Sequence, residues 1–351
     1  MEIYTQNNTK NVVVGLSGGV DSAVCCKLLL NKGYNVTGLF LIMSDVHLKS
    51  LESAKKVASE LNIPFITKDL RKQFKEQIIL PFMNVYCNGA TPNPCLICNE
   101  LLKFKTLIET ADELSYPYIA TGHYAKISTL NSFHILTKSN DRKKDQSYML
   151  YRLGQEVLSR LLLPIGEYSK EEIREIAHNE NISAYNSADS QEICFIEDER
   201  YTSYMHRNGY FGKEGNFILS SGETVGKHKG VEYYTVGQRK GLSVNLGKPY
   251  YVRRILENGN ILLEETNEAD ISMIIATDIK LNPYFDFNNN NTYTCKIRYQ
   301  SKYEDIIVKH DKEKLIIGFK KSIKAPALGQ SAVIYSEDSV VGGGIISEIV
   351  Y

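Results

Sequence analysis

The stretch Val12-Val13-Val14-Gly15-Leu16-Ser17-Gly18-Gly19-Val20-Asp21-Ser22 decides how the rest of this 351-residue chain is read. Three β-branched residues in a row are too few for a helix and suit a buried strand. The chain then breaks at Gly15 and again at the Gly18-Gly19 pair, after which an apolar segment with helical spacing begins. The order is strand, tight loop, helix. Glycines let the backbone come close to a ligand, and the open N–H groups and positive dipole end of the following helix attract an anion, so the loop is shaped to hold phosphate. An ordinary strand-to-helix turn has no need of two adjacent glycines flanked by Ser17, Asp21 and Ser22.

Outward from the loop, Val24 and Leu28 mark a helix that Gly33 can end, and Asn35 to Ile42 reads as a second strand. Leu51, Ala54, Val57, Ala58 and Leu61 recur at helical spacing, and Ile63 to Thr67 follows as a third strand. This alternation predicts an α/β fold, a Rossmann-like parallel sheet with helices on both faces and ligands beyond the carboxyl ends of the strands. Leu41, at the end of the second strand, is either an adenosine contact or a core residue.

The loop has neither the Gly-Lys-Ser/Thr ending of a Walker A motif nor the spaced glycines of a dinucleotide fingerprint. Ser-Gly-Gly-Val-Asp-Ser at 17–22 resembles instead the pyrophosphate loop of enzymes that cleave ATP between its α and β phosphates. That group includes GMP synthetase, NAD synthetase, argininosuccinate synthetase and tRNA thiolases. The resemblance implies that Gly15, Leu16, Ser17, Gly18, Gly19, Val20, Asp21 and Ser22 hold ATP. Ser17 and Ser22 would offer hydroxyls, and Asp21 would help to place Mg²⁺.

The length predicts two or three domains. No apolar run is long enough to cross a membrane, and Met1 to Lys10 has no apolar core of a signal peptide, so a cytoplasmic location is expected. In that compartment seven cysteines are read as reduced, catalytic or metal-binding. Lysine plus arginine equals aspartate plus glutamate at 41 each, so a polyanionic partner has to be met by local basic patches.

Thr91-Pro92-Asn93-Pro94-Cys95-Leu96-Ile97-Cys98-Asn99 interrupts the alternation with two prolines. Helical periodicity resumes over Leu101 to Ala111, which places Cys98 near a helix start, where a thiol pKa is lowered. Cys95 and Cys98 also have the spacing of half a zinc site, but there is no second Cys-x-x-Cys and no histidine pair at finger spacing. Tyr118 to His123 reads as a short strand delivering Gly122 and His123 to the ligand edge. Asp141 to Tyr148 is a polar turn before a helix expected to run through Leu163, and Ser169-Lys170-Glu171-Glu172 has the form of a capping box for a helix reaching His178.

Cys194, between Ile193 and Phe195 in the Asp189 to Ile196 segment, reads by itself as a core thiol; Cys25, Cys26, Cys87 and Cys295 are read as structural. Beyond Tyr201 the texture turns to short glycine-rich segments of β propensity. Tyr233 to Leu242 mixes aromatics, two cations and glycines as an RNA-contacting loop does. From about Ile271, alternation at 292–299, 306–309, 314–319 and 331–335 predicts a small closed or sandwich β domain, with the Asn288 to Asn291 run as a turn.

In order along the chain, Gly-Leu-Ser-Gly-Gly-Val-Asp-Ser (15–22), Thr-Pro-Asn-Pro-x-x-x-Cys-Asn (91–99), Ala-Thr-Gly-His-Tyr (120–124), Lys-Asp-Gln-Ser-Tyr (144–148), Ile-Cys-Phe-Ile (193–196) and Tyr-Thr-Val-Gly-Gln-Arg-Lys-Gly-Leu (234–242) resemble the bacterial tRNA-specific 2-thiouridylase family. The resemblance implies a nucleotide-binding catalytic domain at 1–202, a small central domain at 203–269 and a tRNA-contacting β-barrel at 270–351. It implies replacement of the C2 oxygen of a wobble uridine by sulfur, with ATP first converting that oxygen to an AMP leaving group. Cys194 would carry sulfur as a persulfide received from a donor protein, and Cys98 would act as the nucleophile that can release it by forming a disulfide with Cys194. Gly122 would lie at ATP, and Asn93, Pro94 and Cys95 against the target base. His123, Lys144, Asp145, Gln146, Arg298, Tyr299 and Gln330 would meet the tRNA.

Position 95 departs from the family pattern, which has an aspartate with an acid/base role where this chain has Cys95. Cys95, Cys98 and Cys194 could instead hold a [4Fe-4S] cluster with one iron open to carry sulfide, as in related three-cysteine thiolases. Two further readings stand beside these: a small-molecule ATP-pyrophosphatase that ligates or amidates, for which the cysteines would be dispensable, and a tRNA-binding protein without catalysis, which intact Asp21, Cys98 and Cys194 argue against.

Overall fold

A computed structural model describes residues 10–186, 193–196, 200–265, 271–287 and 292–350. The amino-terminal stretch before Lys10, Asp189 to Glu192 and the Asn288 to Asn291 run lie outside the described residues. The first unit contains, in chain order, β1 (Asn11–Gly15), α1 (Val20–Asn31), β2 (Asn35–Ile42), α2 (Leu48–Glu60), β3 (Phe65–Asp69), α3 (Arg71–Phe74), α4 (Leu80–Cys87), α5 (Pro94–Cys98), α6 (Phe104–Glu113) and β4 (Tyr118–Thr121). There follow a hairpin of β5 (Ala125–Leu130) and β6 (Phe133–Lys138), two short helices α7 (Ser147–Leu150) and α8 (Gln155–Leu158), β7 (Leu161–Leu162), α9 (Lys170–Asn179) and α10 (Tyr201–Arg207).

Five of these strands form a sheet in the order β3-β2-β1-β4-β7 with every pairing parallel. β1 is central, so Val12, Val13 and Val14 are fully buried. Val13 packs on one face with Leu107 and Ile119, while Val12 and Val14 pack on the other with Val24, Ala54 and Val57. The Rossmann-like expectation is met, and its period-two side-chain alternation explains why one apolar run serves two cores.

Two local expectations are corrected. The helix expected to run through Leu163 is instead α7, α8 and the strand β7, because Gly154 takes an extended conformation ahead of α8 and Leu161–Leu162 pair with Ile119 and Ala120 at the sheet edge. Cys98 does not open a helix. α5 starts at Pro94 on an Asn93 cap, and a π turn over Asn99–Lys103 joins it to α6, so Cys98 lies a full turn inside.

The central unit is a four-stranded sheet of β8 (Gly215–Leu219), β9 (Thr224–His228), β10 (Tyr251–Ile255) and β11 (Ile261–Glu264), in the order β10-β11-β8-β9. Phe217, Val252, Ile261 and Leu263 form its core with Tyr234 and Leu242 from the Tyr233 to Leu242 loop. The last unit comprises β12 (Ile271–Leu281), β13 (Tyr293–Lys296), β14 (Glu304–Asp311), β15 (Lys314–Ile323), β16 (Ser331–Ser336) and β17 (Ser339–Val350). Their order is β12-β15-β14-β13-β16-β17, and a β12–β17 pairing closes six strands into a barrel. Closure removes the free edges that a sandwich would leave.

The barrel is fused to the first unit. β17 bonds to β6 through Ser339 and Thr137, and Val333, Tyr335 and Val340 join the core that contains Leu136, Tyr148 and Leu150. Arg152, 6% exposed, donates from Nη2 to Asp278 Oδ2 at 2.9 Å and from Nε to Glu100. Helix and barrel thus share one buried cation, whose pairing offsets its desolvation.

Candidate active site

The loop after β1 is held open by its own side chains. Ser22, buried, donates from Oγ to Gly19 O at 3.0 Å and accepts from Ser17 N at 3.2 Å, while the Ser17 hydroxyl lies 3.2 Å from Ser22 Oγ. Gly18 has φ +84°, and a Cβ there would lie 2.9 Å from Ala54 N, so only glycine fits. A Cβ on Gly122 would lie 2.7 Å from the Asp21 carbonyl carbon; β4 therefore presses directly on the loop. Gly19, the residue that opens α1, makes no side-chain cap hydrogen bond, and a helix start of this kind attracts an anion. Leu41 is 9% exposed and packs with Leu39 and Met43 in the core.

Asp21 has a partner that the sequence did not suggest. Lys170, at the first position of α9, donates to Asp21 Oδ1 at 2.7 Å and Oδ2 at 2.9 Å, and Tyr124 Oη donates to Oδ1 at 2.8 Å. The expected capping box forms, with Ser169 accepting from Glu172 N and Glu172 reaching back to Ser169 N, and it fixes Lys170 at this point. The Lys170 side chain is 8% exposed and that of Asp21 33%. The carboxylate keeps a solvent edge that would suit Mg²⁺, and a buried lysine stands beside the phosphate loop in place of the one that a Walker motif carries.

The thiols gather over the same edge of the sheet. Met43, just past β2, accepts from Cys98 Sγ at 3.6 Å. Cys98 is 6% exposed, Cys95 half-buried and Cys194 exposed. Ile196 N donates to Ile193 O at 2.9 Å, so Cys194 sits on a tight turn, anchored by the Phe195 ring against Phe74 and Phe82, each with centroids 5.5 Å away. Burial pushes the Cys98 thiol up to about 11, Lys103 opposing and Cys95 adding to the rise. This reverses the expected lowering, because the helix start lies a turn earlier and desolvation outweighs any dipole. Cys194 reaches solvent at its surface, yet the protein packed around it raises its thiol too, with Cys95 and Cys98 adding and Lys103 opposing, and burial raises Cys95 against the pull of Lys103. Cysteines nearly a hundred residues apart in sequence thus feel one another's charge.

Lys103 is a site residue that sequence reasoning missed. It acts on all three thiols and also opposes protonation of His47 and His123. Cys98 and Lys103 are five apart, a spacing that an α-helix turns to different faces and a π turn returns to one face. Only the π turn over Asn99–Lys103 aligns them, and nothing in the sequence announces it. Among the described residues no three His, Cys, Asp or Glu side chains gather closely enough to hold a metal ion.

The remaining site residues divide by what they touch. Asn93 Oδ1 accepts from Cys95 N at 3.2 Å and its Nδ2 approaches Met149 Sδ at 3.8 Å, beside buried Pro94. Gln330 Nε2 donates to Thr91 O at 3.0 Å, which brings the barrel to the turn that carries Cys95. His123 is half-buried, with Nδ1 2.8 Å from Thr121 Oγ1, and burial lowers it to about 3, so it meets a partner as a neutral ring. Lys144 is half-buried. Asp145 is 6% exposed and accepts from Ser139 N and Ser147 Oγ at 2.9 and 2.7 Å; Gln146 Oε1 accepts from Tyr124 N at 2.9 Å. These two shape the turn from within. Arg298 Nη2 donates to Val236 O at 2.9 Å and Ala325 O at 2.8 Å, tying the central loop to the barrel, and Tyr299 lies 6.0 Å from the Tyr148 ring.

Profiles of known families match three consecutive segments: a "tRNA methyl transferase HUP domain" over residues 10–198, a "tRNA methyl transferase PRC-barrel domain" over 208–263 and an "Aminomethyltransferase beta-barrel domain" over 272–346. The chain is similar to tRNA-specific 2-thiouridylase MnmA 2 of Clostridium botulinum (strain Hall), with 40% identity over 349 residues, covering 97% of this chain and 99% of that protein. It is similar also to tRNA-specific 2-thiouridylase MnmA 1 of Clostridium tetani, at 40% identity over 352 residues and 97% of each. Among solved structures, the U34-tRNA thiolase NcsA of Methanococcus maripaludis with its [4Fe-4S] cluster aligns with a TM-score of 0.36 and 17% identity, over 57% of this chain and 65% of that one.

Proposed function

Since the chain belongs to the tRNA-specific 2-thiouridylase family and is accordingly a tRNA sulfurtransferase, we propose that it thiolates C2 of a wobble uridine through an adenylated base and a cysteine persulfide. The observation that supports this reading most is that Phe195, next to Cys194, shares one buried core with Cys98 and with Met43, which accepts from Cys98 Sγ just past β2, with Lys103 acting on both thiols. The C2 oxygen of uracil leaves poorly. Transfer of AMP from ATP turns it into a phosphate ester, and pyrophosphate departs. Gly15 to Ser22 and Gly122 hold ATP for this step, Ser17 offers a hydroxyl, Lys170 stands on Asp21 beside the phosphates, and Asp21 would help to hold Mg²⁺, which would neutralise their charge.

Sulfur arrives on Cys194, whose exposed position suits a protein donor. Cys98 is shielded and cannot meet such a donor directly. Its thiolate attacks the inner sulfur of the Cys194 persulfide, the terminal sulfur passes to C2, and AMP leaves. The base stands against Asn93, Pro94 and Cys95, while His123, Lys144, Arg298, Tyr299 and Gln330 surround the anticodon loop and Asp145 and Gln146 shape the turn between them. On this reading residues 1–202 do the chemistry, 203–269 link, 270–351 hold tRNA, and the enzyme works in the cytoplasm.

The test is a reconstituted reaction with tRNA transcript, ATP, Mg²⁺ and a persulfide-generating donor, read by nucleoside mass spectrometry. Cys98→Ser and Cys194→Ser should each abolish 2-thiouridine while ATP-dependent AMP transfer to tRNA persists. Full thiolation by either variant would refute the route. Purification without oxygen and iron analysis should find the active protein iron-free; stoichiometric iron required for activity would favour the cluster.

A further inference from the structure

We propose that Cys95 is a resolving thiol, which attacks Cys98 Sγ of the Cys98–Cys194 disulfide left by sulfur transfer and returns Cys194 to its free form. The inference rests on the persulfide route above. In the exchange the Cys95 thiolate forms a bond to Cys98 Sγ, the Cys98–Cys194 bond breaks, and Cys194 leaves as the thiolate. No net oxidation occurs. A cellular low-molecular-weight thiol or dithiol protein then supplies the two electrons that reduce Cys95–Cys98, the same two that the first disulfide would have required.

Three observations carry it. The first is spacing: Cys95 and Cys98 stand three apart in α5, so both lie on one helix face with Cβ atoms about 5–6 Å apart. A disulfide needs a somewhat closer approach, and the first turn of a helix, whose N–H groups have no intrahelical partner, can adjust to give it. Asn93 caps that turn through Cys95 N, which holds the thiol in register.

The second is the gradient of access. Cys98 is 6% exposed and lies against Met43, Cys95 is half-buried, and Cys194 is open. An external thiol has little approach to the Cys98 sulfur, whereas Cys95 lies one turn away on the same short helix. Moving the oxidised pair onto Cys95 and Cys98 frees Cys194, the thiol that must reload, before any reductant arrives. The third is charge: burial raises all three thiols, and Lys103 opposes that rise at each of them, so one cation acts on the sulfur that attacks, the sulfur attacked and the sulfur that leaves.

The experiment uses the full-length protein, loaded with persulfide by a cysteine desulfurase and turned over once with tRNA and ATP under anaerobic conditions without reductant. Acid quench, alkylation and peptide mass spectrometry then map the sulfurs. The expected end state joins Cys95 to Cys98 and leaves Cys194 alkylated, whereas Cys95→Ser stops at Cys98–Cys194 and reloads about tenfold more slowly with glutathione as sole reductant. Cys95→Ala should behave like Cys95→Ser. A wild-type end state of Cys98–Cys194 with Cys95 alkylated overturns the proposal alone. Thiolated tRNA with no disulfide in either protein overturns the persulfide reading and the proposal together.

Discussion

At the scale of single residues, the site turns on the balance between desolvation and one cation. Cys98 is held up to about 11, above the ordinary range of a cysteine, so its reactive thiolate is scarce at neutral pH. Because the pKa is raised, alkylation of Cys98 should keep climbing with pH to about 11 instead of levelling near 9, and at pH 8 it should run about two orders of magnitude below an unperturbed thiol. Lys103→Met removes the charge that favours thiolate, so the profile should move further up and the rate at pH 8 should fall about three- to tenfold. Lys103→Arg should restore it. Peptide-resolved iodoacetamide labelling reads both, and a profile unmoved by Lys103→Met would deny Lys103 this part. The identities of Cys98 and Cys194 were legible as members of motifs. Their environment was not, because Met43 beside Cys98, and Phe74 and Phe82 around the Phe195 ring next to Cys194, are remote in sequence and look like any core residues.

At the scale of elements, the phosphate loop was the most legible feature, since glycine placement and β-branched runs speak directly about backbone. β2 falls on Asn35–Ile42 as expected, and α9 begins on its capping box. What the sequence hid were elements made by tertiary pairing: β7 exists because β4 needs a neighbour, and the π turn after Cys98 breaks the usual helical period. Lys170 was visible only as part of a cap. Close contact between β4 and the loop yields a test at this scale. Gly122→Ala would set a methyl 2.7 Å from the Asp21 carbonyl carbon, where backbone meets backbone and neither can yield cheaply. The loop must shift, so KM for ATP should rise at least about tenfold, whereas overpacking of this kind costs only about 1–3 kcal/mol of folding stability. Thermal melting beside steady-state kinetics separates the two effects; unchanged KM would show that the loop does not bind ATP where it stands.

At the scale of the whole molecule, a chain with no net charge has to build its RNA surface locally. Cations do gather where the units meet, some of them largely buried. Lys138 stands 3.9 Å over the Tyr303 ring, and Lys296 lies 5.6 and 5.1 Å from the Tyr299 and Tyr303 rings, beside the turn that carries Lys144. Arg298 belongs to this junction in another way, because its Nη2 already serves Val236 O and Ala325 O and so aligns the central loop with the barrel. A residue that neutralises a phosphate and one that aligns two loops both weaken tRNA binding when removed, but they differ in salt dependence. Loss of a phosphate contact flattens the plot of log affinity against log salt by about 0.7 per contact on a single-stranded loop. Loss of alignment lowers the whole line without tilting it. Lys144→Met should therefore flatten the line by that amount, and Arg298→Met should displace it downward in parallel, as filter binding of a tRNA transcript across a salt series would read. A flattened line for Arg298→Met would mean that its guanidinium leaves both carbonyls to take a phosphate when tRNA binds.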